Sequence, residues 1–184
     1  AAGPRASLIA DMVGVELKIE PRKRYTFVFD CAEDLGRDVP LTIDPSGVHV
    51  RSDGDAYMAG CTPDIDPAVA YDDYEIDQDI FEDKVWPALV NRIPAFERIK
   101  IQTQWAGHYA HNDFDHNVIV GPHGDVANFV LANGFSGHGV QQSPAIGRGV
   151  SELITYGEYR TLDLTSLGHA RIVDGEPFIE SAII

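Results

Sequence analysis

A glycine-rich run in the last third of the chain has the composition of a loop that closely approaches a ligand. It carries three glycines within six residues, after a predicted strand and before a predicted helix. The first amides of a helix carry a partial positive charge of about +0.5, which favours a phosphate or a heterocycle that becomes anionic on reduction. A tight connection without a ligand explains the pattern equally well, and the P-loop pattern is absent. The candidate ligand-binding residues are Gly134, Phe135, Ser136, Gly137, His138, Gly139, Val140 and Gln141.

A second segment, residues 108–116, carries three histidines and two aspartates in nine positions. Histidine and carboxylate side chains are common ligands of zinc and iron. On a strand, His108 and His111 point to opposite faces because their spacing is odd, and this disfavours a shared metal ion. We therefore predict no metal site and expect polar side chains at the end of a strand that lines a pocket.

Two shorter segments have weaker chemical signals. Arg22, Lys23 and Arg24 form the only basic cluster of the chain. This cluster is either a solvated edge or a contact to an anionic cofactor or substrate. Ala1-Ala2-Gly3, before a predicted helix, is compatible with the end of a buried strand in a nucleotide-binding sheet.

The charge of the chain excludes some partners. Its 184 residues carry a formal net charge of −15, and eleven acidic residues lie between positions 53 and 83 without a Lys or Arg among them. Nucleic acids and anionic membrane surfaces require a basic surface, so neither is expected as a partner. The acidic run is a solvated face or a calcium site, but EF-hand spacing is absent. No apolar run approaches the ~20 residues of a membrane span.

The elements that must position these residues are short. Residues 4–13 are predicted to form a helix ended by Gly14. Alternating or β-branched residues predict strands at 17–20 and 25–29, separated by Pro21. Turn residues then separate strands that we expect to form an antiparallel meander, at residues 41–43, 48–50 and 56–59.

Helical spacing predicts a helix over residues 77–91, which Pro87 must kink or divide. A strand is predicted over residues 99–109, followed by short strands at 118–121 and 128–133. The glycine-rich run then opens a helix predicted over residues 140–156. The remaining tail carries no strong signal for a helix or a strand. The chain has only two cysteines, which are far apart in the sequence, and this favours a reduced intracellular protein.

Together these segments resemble the FAD-dependent amine and amino-acid oxidoreductases of the D-amino-acid oxidase, sarcosine oxidase and glycine oxidase type. Residues 134–142 and 144–148 resemble the C-terminal flavin-binding signature of that family. Trp105-Ala106-Gly107 and residues 115–121 resemble its tryptophan–glycine segment and the following strand. Segments 21–25, 84–87, 94–97 and 135–139 and the closing Ile183-Ile184 are similar to a branch linked to the assembly of respiratory complex I, and to bacterial relatives of that branch.

The resemblance implies an α+β fold made from parts of two domains. Residues 18–104 would form most of an antiparallel substrate domain with flanking helices. Residues 1–17 and 105–184 would belong to a Rossmann-like FAD-binding domain, with Ala2 and Gly3 among its cofactor contacts. The glycine-rich loop would lie against the flavin pyrimidine ring, and the helix dipole would stabilise negative charge at its N1–C2=O edge.

The resemblance also implies what lies elsewhere. The family's G-x-G-x-x-G motif and ribose-binding acid are expected upstream of Ala1. We therefore expect the chain to be the C-terminal part of a larger enzyme that holds FAD weakly or not at all by itself. A missing N-terminal half, a second copy or a respiratory complex are the expected macromolecular partners. The expected location is a bacterial cytoplasm or the mitochondrial matrix.

The sequence departs from the family at the expected substrate site. Glycine-oxidase-like members carry an Arg that binds the substrate carboxylate where this chain has His108 and Tyr109. Gln141 replaces the Lys of simple sarcosine oxidases. His108 and Tyr109 remain the candidate catalytic residues, and the substrate is expected to be a small amine or amino acid. The alternative is a non-catalytic assembly or scaffolding factor for a respiratory complex.

Overall fold

The computed structural model describes residues 1–181, and the chain divides into two compact units. Unit 1 comprises Ala1–Arg22 and the described residues from Tyr109 onward, and unit 2 comprises Lys23–His108. The sequence predicts domain changes after residues 17 and 104, and its assignment of these domains to FAD and substrate binding stays a prediction. The last three positions of the predicted third segment lie outside the described residues.

Unit 2 contains a five-stranded sheet. Its strands are β1 (Ile19–Cys31), β2 (Thr42–Ile43), β3 (His49–Asp53), β4 (Ala56–Cys61) and β5 (Ile99–Asn112), and β1 and β5 extend past the unit boundaries. The strand order is β2-β3-β4-β1-β5, with antiparallel pairing of β2 with β3, of β3 with β4, and of β4 with β1. The predicted antiparallel meander and the α+β class with flanking helices are confirmed.

The core of unit 2 is aromatic. Phe27, Phe29 and Phe96 are fully buried, and the rings of Phe29 and Phe96 meet edge to face with centroids 5.3 Å apart. A π-helical turn at Phe81–Val85 leads into helix α2 (Trp86–Arg92) and covers this core. Pro87 lies in the first turn of α2, where its missing N–H costs no hydrogen bond. Helical backbone begins at residue 79, two residues after the predicted start.

Unit 1 contains short helices and strands and one longer helix. Helix α1 (Ala6–Asp11) comes first, β6 (Ile119–Pro122) and β7 (Val130–Asn133) form an antiparallel pair, and helix α3 (Gly139–Tyr156) follows the glycine-rich loop. Helix α4 (Ala170–Val173) lies near the end of the described chain. No helix among residues 1–181 is long and apolar enough to cross a membrane.

Pro21 does not interrupt the first strand, and this part of the prediction is wrong. The strand β1 continues through Pro21, whereas the sequence predicts two strands on either side of it. Pairing between β1 and β4 covers only Tyr25 to Phe29, so the missing N–H of Pro21 lies outside that ladder.

A buried ion pair anchors the C-terminal part of unit 1. The Nε of Arg171 lies 2.6 Å from Oδ2 of Asp115, and the two side chains are 6% and 0% exposed. Arg171 also donates to the carbonyl oxygens of Asn117 and Val118 at 3.2 and 3.1 Å. Burial acts to raise the pKa of Asp115, but the Arg171 guanidinium and nearby backbone N–H groups outweigh it and lower that pKa.

Candidate functional site

The glycine-rich loop joins β7 to α3 through backbone conformations that require glycine. Gly134 and Gly137 have φ angles of +73° and +99°. A Cβ on Gly137 would lie 2.5 Å from Cε2 of Tyr109, and one on Gly134 would lie 2.7 Å from Cδ1 of Ile19. Both positions therefore exclude other residues by backbone conformation and by space.

Ser136 ties the loop to β5. Its side chain is fully buried, and its own φ is +46°. Its backbone N–H donates to the carbonyl of Ala110 at 3.0 Å, and its hydroxyl accepts from the N–H of Asn112 at 3.0 Å. The same hydroxyl donates to the carbonyl of Gly134 at 3.3 Å. The strained serine conformation is thus held by three hydrogen bonds, and the loop is fixed against β5.

The start of α3 presents its amides to the outside. The first amides of a helix have no acceptor within the helix, and the first turn of α3 contains no acidic residue. Val140 is 89% exposed, and Gln141 is exposed beside it. Nδ1 of His138 and Oε1 of Gln142 are buried and have no hydrogen-bond partner among the described residues. This helix end can therefore accept negative charge and offers two polar atoms to a ligand.

The two predicted catalytic residues have separate surroundings. The ring of Tyr109 lies against Gly137. His108 donates from Nε2 to the carbonyl oxygen of Asp73 at 2.7 Å, and its ring stacks on Tyr74 with centroids 4.3 Å apart. Successive residues of a strand point to opposite faces, which explains why neighbouring side chains differ so much. The contacts given for His108 lie within unit 2 and those given for Tyr109 lie within unit 1, and the catalytic roles of both residues stay predictions.

Ala2 and Gly3 lie at the entry to α1. Residues 1 and 2 are not assigned to a strand, and the expected strand end in a nucleotide-binding sheet stays a prediction. A 3₁₀ turn at Gly3–Arg5 leads into the helix, and Gly3 has a φ of +57°. Ala2 packs against the core formed by residues of α1, β6 and β7. Their role as cofactor contacts stays a prediction.

The basic cluster at residues 22–24 is neither a solvated edge nor an open anion site. Arg24 is 7% exposed and contacts both carboxylate oxygens of Asp66, at 2.8 and 2.9 Å. Lys23 pairs with Asp73 at 2.8 Å. Both interpretations are therefore corrected, because two of the three basic side chains neutralise part of the acidic run. Sequence reasoning missed this pairing because it treated the two charged segments separately.

The histidine-rich segment does not form a metal centre in the described part of the chain. The rings of His111 and His116 are 4.8 Å apart, but the carboxylate of Asp115 is engaged by Arg171. Within residues 1–181, no group of three or more His, Cys, Asp or Glu side chains is arranged to hold a metal ion. The sequence analysis did not predict the hydrogen bond between Asn112 and Ser136, because only the tertiary structure brings these two residues together.

Comparison with known proteins identifies the class. The model of the DAO family, described as FAD dependent oxidoreductase, matches residues 1–153. The chain belongs to this family, and the resemblance inferred from the sequence motifs is confirmed.

Two proteins whose names also describe an FAD-dependent oxidoreductase are similar in sequence to this chain. The chain is 42% identical to FAD-dependent oxidoreductase domain-containing protein 1 of Xenopus laevis over 197 residues, and 42% identical to the Bos taurus protein over 175 residues. These matches cover 100% and 94% of the chain, but only 40% and 36% of the relatives, so the chain spans about two fifths of their length.

Solved structures show the same fold. The chain is similar to L-proline dehydrogenase from P. horikoshii, with a TM-score of 0.84, 27% identity, and coverage of 96% of this chain and 47% of the other. Glycine oxidase from Geobacillus kaustophilus matches with a TM-score of 0.71 at 20% identity, over 91% of this chain and 43% of the other.

Proposed function

We propose that this chain forms part of an FAD-dependent oxidoreductase that oxidises a small amine or amino acid. The observation that carries the proposal is the loop before α3, where Gly137 lets the ring of Tyr109 lie directly against the backbone. When bound, FAD supplies the hydride acceptor for such an oxidation.

The residues present fit the edge of a flavin. The α3 N-terminus supplies amide donors and positive potential without an acidic side chain to cancel it. The buried Nδ1 of His138 and Oε1 of Gln142 can hydrogen-bond to polar atoms of the cofactor. Ser136 holds these groups in place through its bonds to β5. In this proposal the chain binds and orients the cofactor edge and stabilises negative charge there.

Tyr109 is the candidate substrate contact of unit 1. Its ring is fixed against Gly137, so its hydroxyl can orient a polar substrate with little loss of side-chain entropy. A neutral phenol gives a weaker hold on a carboxylate than a guanidinium does. The proposed substrates are therefore amines and amino acids whose binding does not depend on a bidentate Arg clamp.

The test uses a polypeptide with the full length of the relatives. The oxidised protein is mixed without oxygen with sarcosine, glycine and L-proline, and the visible flavin absorption is followed. Bleaching by one of these amines supports the proposal. Tyr109→Phe is then expected to raise KM more than it lowers kcat. Failure of a broad amine panel to bleach bound flavin would contradict the oxidase assignment.

A second candidate function is a non-catalytic flavoprotein that assists assembly of a respiratory complex. The observation that favours it concerns His108, a candidate catalytic residue. Its Nε2 donates to the carbonyl oxygen of Asp73 and its ring stacks on Tyr74, so these contacts compete with contacts to a substrate. The amine screen separates the two functions, because turnover with any amine counts against a purely structural role.

The 184-residue chain by itself is expected to hold FAD weakly or not at all. Its visible spectrum after incubation with FAD and desalting tests this expectation, and a stoichiometric flavin peak would contradict it.

A further inference from the structure

Two histidine rings meet where the connection between β6 and β7 lies beside helix α4. The ring centroids of His123 and His169 are 4.5 Å apart, and the ring planes are inclined by 39°. His123 directly follows β6 and is only 9% exposed, and His169 directly precedes α4. Both residues belong to unit 1, so the contact joins two elements of one compact unit.

Hydrogen bonds of the neighbouring backbone hold both histidines in place. The N–H of His123 donates to the carbonyl of Phe129 at 2.9 Å, and Nδ1 of His123 accepts from the N–H of Asp125 at 3.2 Å. The carbonyl of His169 accepts from the N–H of Ile172 at 3.0 Å and begins α4. An imidazolium ion carries an N–H on both nitrogens, so it cannot accept the bond from Asp125. The observed arrangement therefore requires a neutral ring at His123.

The surroundings of His169 also oppose a positive charge on its ring. Burial lowers the pKa of His169 most, and the His123 ring and then the Arg171 guanidinium lower it further, whereas Asp125 acts in the opposite direction. A histidine whose pKa is lowered in the folded state destabilises that state once the pH falls below the ordinary pKa of 6.5. Two clefts beside His169 are lined by further ionisable side chains, which are Glu158, Tyr159 and Asp163 in one and Glu16 and Lys18 in the other.

We propose that His123 and His169 form a pH-dependent latch that holds α4 and the residues after it in place at neutral pH and releases them more often in acid. The residues after α4 share its anchor, because Arg171 and the N–H of Phe178 both donate to the carboxylate of Asp115. The latch is built entirely from residues of unit 1 that contact each other. It is a conformational device of this unit and does not rest on the proposed redox function.

Hydrogen–deuterium exchange of the 184-residue chain at pH 7.5 and pH 5.5 tests the latch. The N–H groups of residues 172–176 are hydrogen-bonded in and after α4. After correction for the intrinsic exchange rate at each pH, their protection is expected to be about three- to tenfold lower at pH 5.5, as the binding of one proton allows. This loss should be absent in His169→Gln, whose side chain does not titrate. His49→Gln is the matched control and should keep the loss, because burial also lowers the pKa of His49 but this residue lies in unit 2.

Helix α3 is the internal reference for this experiment, because the latch does not include it. Protection lost in α4 and not in α3 supports the proposal. An equal loss in α3 would mean that unit 1 unfolds as a whole, and it overturns the latch. The latch is also overturned if the unmodified chain shows no loss, if the loss persists in His169→Gln, or if His49→Gln abolishes it.

A titration of the histidine Cε1 protons by NMR tests the coupling between the two rings. His123→Asn removes one ring but keeps an oxygen that can accept the N–H of Asp125. The pKa of His169 is expected to rise toward its ordinary value in this variant, because one cause of its lowering is removed. The same pKa in the variant and the unmodified chain would show that the rings titrate independently, and it overturns the proposal.

Discussion

Gly137 and Gly139 are two positions apart, but the structure uses them in different ways. Gly137 has a φ of +99° and no room for a Cβ beside Tyr109. A Cβ on Gly139 would lie 3.5 Å from Phe135, an ordinary van der Waals distance, at the first residue of α3. The glycine pattern of the sequence identifies the loop, but only the structure separates the required glycine from the replaceable one.

Gly137→Ala is therefore expected to destabilise the chain by about 1–3 kcal/mol, from left-handed backbone strain and displacement of the Tyr109 ring. Gly139→Ala is expected to change stability by no more than about 0.5 kcal/mol. Urea unfolding of both variants at pH 7 measures the difference. Equal losses in the two variants would show that the contact between Gly137 and Tyr109 does not set the loop conformation.

Arg171 is a residue whose role no local sequence pattern reveals. It lies in the tail for which the sequence gives no structural signal, 56 positions from its partner Asp115. Long-range charge pairs are decided by tertiary structure, and a chain with many acids offers many alternative partners. The same reason explains why Arg24–Asp66 and Lys23–Asp73 were not predicted.

Arg171→Ala is expected to cost about 3–5 kcal/mol, because it leaves the buried carboxylate of Asp115 without its counter-charge. Arg98→Ala is the control, since Arg98 pairs with Glu33 on the surface with 67% of its side chain exposed, and little or no change is expected. Chemical denaturation compares the two. Adding Asp115→Asn to Arg171→Ala should recover part of the loss, whereas no recovery would argue against the uncompensated charge as the cause.

At the scale of elements, α3 shows how an interior proline is accommodated. Pro144 cannot donate to the carbonyl of Val140, and the hydroxyl of Ser143 donates to that oxygen instead at 2.9 Å. The helix starts at Gly139 and ends at Tyr156, and the residue that follows it, Gly157, has a φ of +78°. Its predicted range was correct to within one residue, because the glycine-rich loop and Gly157 mark its ends clearly in the sequence.

Other elements were predicted less well because long-range pairing overrides local signals. Pro21 lies inside a strand, and residues 62–78 contain no helix or strand yet are held by pairs to Lys23, Arg24 and Lys84. The short strands of the meander were predicted because turn residues separate them. The glycine-rich loop was predicted because glycine conformation is a local property, whereas the surroundings of His108 and Tyr109, which belong to different units, depend on tertiary structure. The functional roles of these residues stay predictions.

Glu152 links α3 to the following turn and gives this region a pH dependence. Its carboxylate accepts from the hydroxyl of Thr161 at 2.5 Å and from the backbone N–H groups of Arg160 and Thr161 at 2.9 and 3.0 Å. The Thr161 hydroxyl first, and then these N–H groups, lower its pKa from 4.5 to about 2. A lowered pKa in the folded state stabilises the fold above pH 4.5, and this contribution is lost as the pH falls toward 2.

Glu152→Gln should therefore lower the melting temperature at pH 7, and the gap to the unmodified chain should narrow as the pH falls from 4.5 toward 2. Glu158→Gln is the control, because it removes the same charge at an exposed position on the same turn. Thermal unfolding by circular dichroism across this range measures the gap. A pH-independent difference would show that the Glu152 carboxylate does not act through its ionised form.

At the scale of the whole molecule, the surplus of negative charge destabilises the folded chain, whereas the ion pairs of residues 62–78 stabilise it. The net charge of −15 repels the chain from itself in the compact state. Asp64, Asp66 and Asp73 are removed from that repulsion by Lys84, Arg24 and Lys23. Asp72, Glu82 and Asp83 are exposed and have no ion pair within the described residues. Similar carboxylates in one acidic run should therefore differ in the sign of their contribution to stability.

Replacing Asp72, Glu82 and Asp83 together by their amides is expected to raise the melting temperature at 20 mM NaCl. The further rise in melting temperature between 20 mM and 0.5 M NaCl is expected to be smaller in this variant than in the unmodified chain. Screening removes the same repulsion that the substitutions remove, because the Debye length falls below about 5 Å at that salt. Asp66→Asn should lower the melting temperature at both salts, since it leaves the buried Arg24 guanidinium without its bidentate partner. Scanning fluorimetry at the two salts compares both variants with the unmodified chain. If Asp66→Asn stabilised the chain as the triple variant does, net charge alone would govern this surface, and the pairing with Arg24 would contribute nothing to the fold.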